Sequence, residues 1–228
     1  MTPVPLIEYR DIARRFTTRR GTVTACEHVD LTVNEGEFLA IVGPSGCGKS
    51  TLLNMAAGLL QPSAGGVFYR GEKVPEPNTR VGYMTQRDTL LPWRSVEDNV
   101  AIALELRGQD RPTRLRTAHK WLHRVGLKGF ENAYPAQLSG GMRRRVSLAI
   151  ALVGSSRVVI LDEPSTGLDP ASRRRLWRLV EDARARLEEE EREDKEAADK
   201  RRRARAGQRA REASAGEANS APKPLLGE

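Results

Sequence analysis

A chain of 228 residues carrying a formal charge of +8 has room for one domain with a sizeable core, or one domain plus a tail. No apolar run approaches the roughly 20 residues of a membrane-crossing helix, and the N-terminal stretch lacks the apolar centre of a secretory signal, so work at a membrane is expected to go through another subunit. The two cysteines, Cys26 and Cys47, suit neither a disulfide framework nor a zinc site, and the basic balance without a nucleic-acid-reading module reads as a solvated arginine-rich surface, with no nucleic acid expected.

The first part of the chain reads as strands and turns. Leu6-Ile7-Glu8-Tyr9 and Asp30-Leu31-Thr32-Val33 are short strand candidates, the second closing in the turn Asn34-Glu35-Gly36. Phe38-Leu39-Ala40-Ile41-Val42 is a continuous apolar run, which predicts a buried parallel strand covered on both faces. A glycine-rich stretch follows it, and Ser50 to Gly58 then reads as a helix that stops at glycine. From about Gln86 to Leu152 the pattern is mostly helical, punctuated at Pro92, Gly108, Pro112 and Pro135. Arg157-Val158-Val159-Ile160-Leu161 predicts a second buried strand, ending in Asp162-Glu163-Pro164. A last helix begins near Ala171, with Leu176, Leu179, Val180, Ala183 and Leu187 on one face. Beyond Leu187 the chain turns acidic to Asp199, then basic to Arg211, then rich in small residues. This low-complexity tail, 188–228, is expected to be a solvated helix or disordered.

Two clusters carry chemistry. Gly43-Pro44-Ser45-Gly46-Cys47-Gly48-Lys49-Ser50 is a complete phosphate-binding loop. Its glycines let backbone N–H groups turn inward around phosphate oxygens, and the helix that follows aims its positive end at the same anion. In such a loop the lysine, here Lys49, reaches the β- and γ-phosphates, and the hydroxyl of Ser50 ligates Mg²⁺. Thr51 follows at the same helix start and is counted with the nucleotide-binding residues. Asp162 ends an apolar strand, where open α/β sheets place ligand chemistry. It is a candidate to hold Mg²⁺ through water, and Glu163 beside it a candidate to polarise an attacking water.

Leu138-Ser139-Gly140-Gly141-Met142 resembles the signature motif of ABC-type ATPases. The phosphate loop, this signature, Leu161-Asp162-Glu163-Pro164 and Ser165-Thr166-Gly167-Leu168-Asp169 stand in that family's order, and the resemblance runs from about Leu6 to Leu187. It implies an α/β fold: a P-loop NTPase core over 1–187, with an N-terminal antiparallel β part and a helical subdomain at about 87–150. It also implies roles. Phe16 lies where an aromatic ring stacks on adenine. Gln86 matches the glutamine that touches Mg²⁺ and the attacking water. Ser139, Gly140 and Gly141 would bind the γ-phosphate of ATP held by a second copy, and Asp169 would sit at the dimer seam. The implied working unit is a head-to-tail homodimer with two ATP at its interface.

The stretch from Thr89 to Val100, with Leu91-Pro92-Trp93, is similar to the ATPases of nitrate, sulfonate, taurine and related importers. An exposed Pro-Trp pair there would help receive an integral-membrane permease. The resemblance therefore implies a peripheral ATPase on the cytoplasmic face of the cell membrane, working with permease subunits and indirectly with a periplasmic or extracellular solute-binding protein.

The chain departs from that family in one respect. ABC ATPases carry a further apolar strand after the helix that here reaches Leu187, lying between the phosphate-loop strand and the Asp162 strand and bearing a histidine that contacts the γ-phosphate. His28, His119 and His123 all precede Asp162 and none can be that residue. Without the strand, backbone groups on both neighbours lose partners, at about 1–3 kcal/mol each. The composition change past Leu187 is expected of a truncated or frame-shifted reading. Two alternatives stand beside the importer subunit: a nucleotide-binding remnant without turnover, and a soluble ABC ATPase acting in translation or DNA repair.

Overall fold

The computed structural model describes residues 4–19, 21–185, 189 and 192. The chain divides into two units, Met1–Arg184 and Ala185–Glu228. Nearly all of the described residues belong to the first. Of the tail, Glu189 and Arg192 are helical and 3.6 Å apart as an exposed ion pair. The expected end of the apolar face at Leu187, and the rest of the tail, lie outside the described residues.

The N-terminal part is an antiparallel sheet of four strands in the order β2-β1-β3-β4. Strands β1 (Ile7–Thr18) and β2 (Gly21–Val33) form a long hairpin in which Ile7 faces Val33 and Thr17 faces Thr22. Strand β3 (Ala64–Tyr69) pairs with the other edge of β1, and the short β4 (Glu72–Lys73) pairs with β3. Alternation along β1 and β3 sends Ile7, Tyr9, Val67 and Tyr69 to one face. There they meet Met55, Ala56 and Ala57 at the end of helix α1 (Lys49–Ala56).

A second sheet has two parallel strands, β5 (Val81–Met84) and β6 (Val158–Leu161), paired in register from Val81–Val158 to Met84–Leu161. Val81, Tyr83, Val158 and Ile160 pack with the cluster that contains α1. Met84, Val159 and Leu161 join the other cluster, built on helices α2 (Val96–Leu106), α3 (Arg111–Arg124) and α4 (Gly140–Val153). A further helix, α5, takes in residues 170–185 and adds Leu176 and Ala183 to that second core, with Leu179 and Val180 packed at its margin. The apolar face expected from residues 176–183 is thus the buried one.

The helices start where the sequence offers caps. The Ser95 hydroxyl accepts from the Asp98 N–H at α2, Asp110 from the Thr113 N–H at α3, and Ser139 from the Met142 N–H at α4. Helix α1 instead begins on Gly48, whose φ of 98° only glycine adopts readily.

One expectation is corrected. Phe38–Val42 is not a buried parallel strand. Among the described residues it pairs with no other strand, and Phe38 and Val42 are exposed, Val42 by 88%. A parallel strand needs a neighbour in the ladder, and among the described residues β6 is laddered only to β5. The described chain offers no further apolar strand to stand beside residues 38–42, so that run belongs to no sheet.

The fit between β5 and α4 is close enough to test. Gly82 faces the Ala151 carbonyl of α4, and a methyl at Gly82 would run into that oxygen. Gly82→Ala should therefore lower stability by about 1–3 kcal/mol, read as a lower denaturant midpoint at unchanged slope. An unchanged midpoint would contradict the packing described here.

Candidate active site

Parallel pairing in register makes the two chain segments after β5 and β6 leave the sheet side by side. The side chains they carry meet. The Gln86 amide Nε2 donates to Glu163 Oε2 at 3.0 Å, and the Thr166 hydroxyl donates to the same oxygen at 3.2 Å. Glu163 has a φ of 47°, in the left-handed region that non-glycine residues seldom occupy. The turn it sits in is thus one that the surroundings must enforce.

Asp162, one residue earlier, is only 3% exposed. Its backbone N–H continues the ladder to the Met84 carbonyl at 2.9 Å, while its carboxylate accepts no hydrogen bond from any described residue. Tyr83 lies near enough to feel it. Burial first, and the Asp162 charge second, push the Tyr83 phenol up to about 12. Its hydroxyl donates to Asn54 Oδ1 at 3.0 Å, tying β5 to α1.

The phosphate loop is held mainly by its own atoms. Gly46 and Gly48 have φ of 82° and 98°. The Lys49 ammonium donates to the carbonyls of Gly43 and Pro44, each at 2.8 Å, and lies 3.8 Å from the Cys47 sulfur. Ser45 and Cys47 are exposed, and Ser50 and Thr51 half-buried in the first turn of α1. The hydroxyls of Ser50 and Thr51 have no side-chain hydrogen bond among the described residues. No hydrogen bond there joins Lys49, Ser50 or Thr51 to Gln86, Asp162 or Glu163. For a hard cation such as Mg²⁺ the donors are apt: a free hydroxyl, an amide oxygen and a buried carboxylate without a protein donor.

Phe16 lies on β1 opposite Val23, half-buried, with the Arg14 guanidinium 4.6 Å from its ring centre. The signature residues form the start of α4, with Ser139 as its cap. Gly140 and Gly141 line an open depression of about 250 Å³ together with Gln86, Arg144, Thr166 and Gly167. No residue of 43–51 lines it. Asp169 caps α5: its carboxylate accepts the N–H groups of Ala171 and Ser172 at 2.9 and 3.0 Å, and the Ser172 hydroxyl first, then these N–H groups, hold its pKa below the usual range.

Two residues that the motifs do not announce organise this region. Asn99 is buried and its amide spans a loop. It accepts the Leu91 N–H and donates to the carbonyls of Leu91, Arg94 and Ser95, all between 2.8 and 3.1 Å. The loop so fixed presents Trp93, which is 72% exposed. Arg144 is the second, buried beneath the Gln86 and Glu163 turns. An amphipathic helix with one inward polar residue gives both away only weakly in sequence.

Comparison with known proteins bears on this arrangement. Residues 26–166, more than half of the chain, match the family described as ABC transporter. The chain is 42% identical over 167 residues to an uncharacterized ABC transporter ATP-binding protein of Methanocaldococcus jannaschii, covering 73% of this chain and 62% of that protein. It is 43% identical over 160 residues to the taurine import ATP-binding protein of Escherichia coli K12, covering 70% of this chain and 63% of that one. The chain thus spans a little over three-fifths of these relatives' length. Among solved structures it is similar to an ATP-binding cassette dimer in a post-hydrolysis state bound to ADP and Pi, with 28% identity, a TM-score of 0.73, and coverage of 78% of this chain and 82% of that one. A dimeric bacterial ABC transporter cassette gives a TM-score of 0.75 at 28% identity, covering 79% and 83%.

The loop geometry gives a paired test. A Cβ at Gly48 would stand 2.5 Å from the Ala25 carbonyl, in a backbone conformation that costs alanine about 1–3 kcal/mol. Gly108 also has a positive φ, of 77°, but open space around it. Gly48→Ala should weaken binding of a fluorescent ATP analogue by about tenfold or more, the equivalent of ~1.4 kcal/mol. Gly108→Ala should leave that affinity unchanged.

Proposed function

This chain belongs to the ABC transporter family, and on that premise we propose that it is an ATP-binding and ATP-hydrolysing subunit that energises a membrane importer of nitrate, sulfonate, taurine or a similar small solute. The observation that carries the reading is the contact between Gln86 and Glu163. They are 77 positions apart, yet their side chains meet at 3.0 Å where β5 and β6 end. A glutamine that can orient water and a carboxylate that can polarise it are thus paired at the end of a parallel sheet, beside a residue, Asp162, suited to a cation.

In this reading the backbone N–H groups of residues 45–51 and the Lys49 ammonium hold the β- and γ-phosphates, Gly43 and Pro44 shape the loop's entry, and Phe16 stacks on adenine. Ser50, Gln86 and Asp162 would hold Mg²⁺, which when bound neutralises charge on the phosphate oxygens. Glu163 draws a proton from water as its oxygen bonds to the γ-phosphorus. The bond to the bridging oxygen breaks, and ADP and phosphate leave. Ser139, Gly140 and Gly141 complete the site of a second copy. That would make the working unit a homodimer with two shared sites and Asp169 at the seam. The domain that does this is taken to be 1–187.

Among the described residues no helix is long and apolar enough to cross a membrane. We assign the protein to the cytoplasmic face through permease subunits that contact the Trp93 loop, with a solute-binding protein on the far side. A second reading, nucleotide binding without turnover, is favoured by one observation: the exposed and unpaired run Phe38–Val42 leading into the phosphate loop.

Phosphate release from MgATP by the full chain separates the two. Glu163→Gln should lower the rate by about a hundredfold or more while the variant still binds nucleotide. Wild-type release no faster than that of the variant would leave only the second reading.

A further inference from the structure

Arg144 lies in the second turn of α4, is 5% exposed, and makes an unusual set of hydrogen bonds. Its Nη1 donates to the carbonyls of Thr85 and Gln86, each at 2.8 Å. Its Nη2 donates to the carbonyls of Asp162, at 2.8 Å, and Glu163. Its Nε donates to Pro164 at 3.4 Å. A guanidinium has five N–H groups in one rigid plane. Here all five are used, and every acceptor is a backbone carbonyl on one of the two segments that carry Gln86 and Glu163.

We propose that Arg144 is a positioning residue for the Gln86–Glu163 pair, fixing the turn after β5 against the turn after β6 so that the two side chains stay in contact. The proposal rests on the reading of that pair as the hydrolytic one. Three features support it beyond the bonds themselves. Side-chain contact between Gln86 and Glu163 has no direct backbone tie beyond the last ladder bond, from the Asp162 N–H to the Met84 carbonyl. Glu163 sits at a φ of 47°, a conformation that needs outside support, and Arg144 grips the carbonyls on both sides of it as well as its own. Arg144 also belongs to the helix that starts at Ser139, so the start of α4 and the paired side chains move as one piece. Neither lysine, with three donors on a point charge, nor glutamine, with two, can bridge both turns in this way.

The test uses the full chain carrying Arg144→Lys or Arg144→Gln. Three quantities are read: affinity for a fluorescent ATP analogue, kcat and KM for phosphate release, and amide hydrogen exchange in residues 85–87 and 162–166. The expected result is nucleotide affinity and KM within about threefold of wild type, kcat down by about a hundredfold, as small misplacements of reacting groups commonly cost, and faster exchange in both segments together. Leu122→Ala, a core change on α3, controls for stability loss alone and should leave kcat within about threefold. Unchanged exchange in the two segments overturns the proposal, as does an unchanged kcat with exchange raised. If the wild type releases no phosphate, the hydrolytic reading falls, while exchange in the two segments still decides whether Arg144 joins them.

Discussion

A pair of parallel strands must be covered on both faces, and the rest of this molecule is arranged around that requirement. Strands β5 and β6 alternate their side chains, so Val81, Tyr83, Val158 and Ile160 go to the side of α1 and Met84, Val159 and Leu161 to the side of α4. Two helices from distant parts of the chain are thereby fixed to opposite faces of one small sheet. Direction matters as much as burial. Because the strands run parallel and end in register at Met84 and Leu161, residues 85–86 and 162–164 emerge at the same end. An antiparallel pair would have put Gln86 and Glu163 at opposite ends, and no side-chain rotation could have joined them.

Covering the sheet brings a polar cost, and Arg144 is where it is met. Both strands release their chains into tight turns whose carbonyls point under α4. Buried carbonyls without donors would cost about 1–3 kcal/mol each. A buried guanidinium without acceptors would cost more, and burial does pull the Arg144 pKa below its ordinary value. Set together, the two problems cancel: five donors in a plane face five carbonyls. The neighbouring arginines of α4 are spent differently. Arg143 pairs with Asp88 at 3.1 Å, and Arg145 bonds the carbonyls of Val125 and Gly126, which ties α4 to the end of α3.

The sequence disclosed this site unevenly, for physical reasons. The phosphate loop and the strand ending at Asp162 were legible because each is a local pattern: glycines at fixed spacing, or an apolar run cut off by acid. The helical character of 86–152 was legible, but its starts at Ser95 and Asp110 were not, because a capping side chain is a single polar residue until the helix behind it is placed. The partner of Glu163 was not visible locally, since Gln86 is an ordinary polar residue until β5 and β6 are paired. It came only through family resemblance. Arg144 was hidden further, one arginine among three in a row, and nothing in the triplet says which one points inward. The strands β3 and β5 were missed as elements because Ala64–Tyr69 and Val81–Met84 are short and contain glycine. The run Phe38–Val42 failed in the opposite sense. Its composition is that of a buried strand, but composition cannot supply a neighbour to pair with.

That failure separates the two halves of the site by what supports them. The Gln86–Glu163 half depends on long-range packing: strand register, the placement of α4, and the five bonds of Arg144. The phosphate loop depends chiefly on short-range geometry. Its turns come from the φ of Gly46 and Gly48, its lysine folds onto the carbonyls of Gly43 and Pro44, and the following helix is anchored through Tyr83 to Asn54 and Tyr9 to the Leu52 carbonyl. The loop can therefore keep its shape while the run before it lies exposed. Distance between the halves is a different matter, because a loop is placed by the strand that leads into it. Residues 38–42 have no ladder among the described residues, so Lys49 and Ser50 are placed by α1, which packs in one cluster with Ile7, Tyr9 and Val67 as well as with Val81, Tyr83, Val158 and Ile160, and by the close approach of Gly48 to the Ala25 carbonyl of β2. In the proposed function, binding of phosphate would draw on the loop's own geometry, whereas hydrolysis would require that the packing around α1 hold the two halves in register.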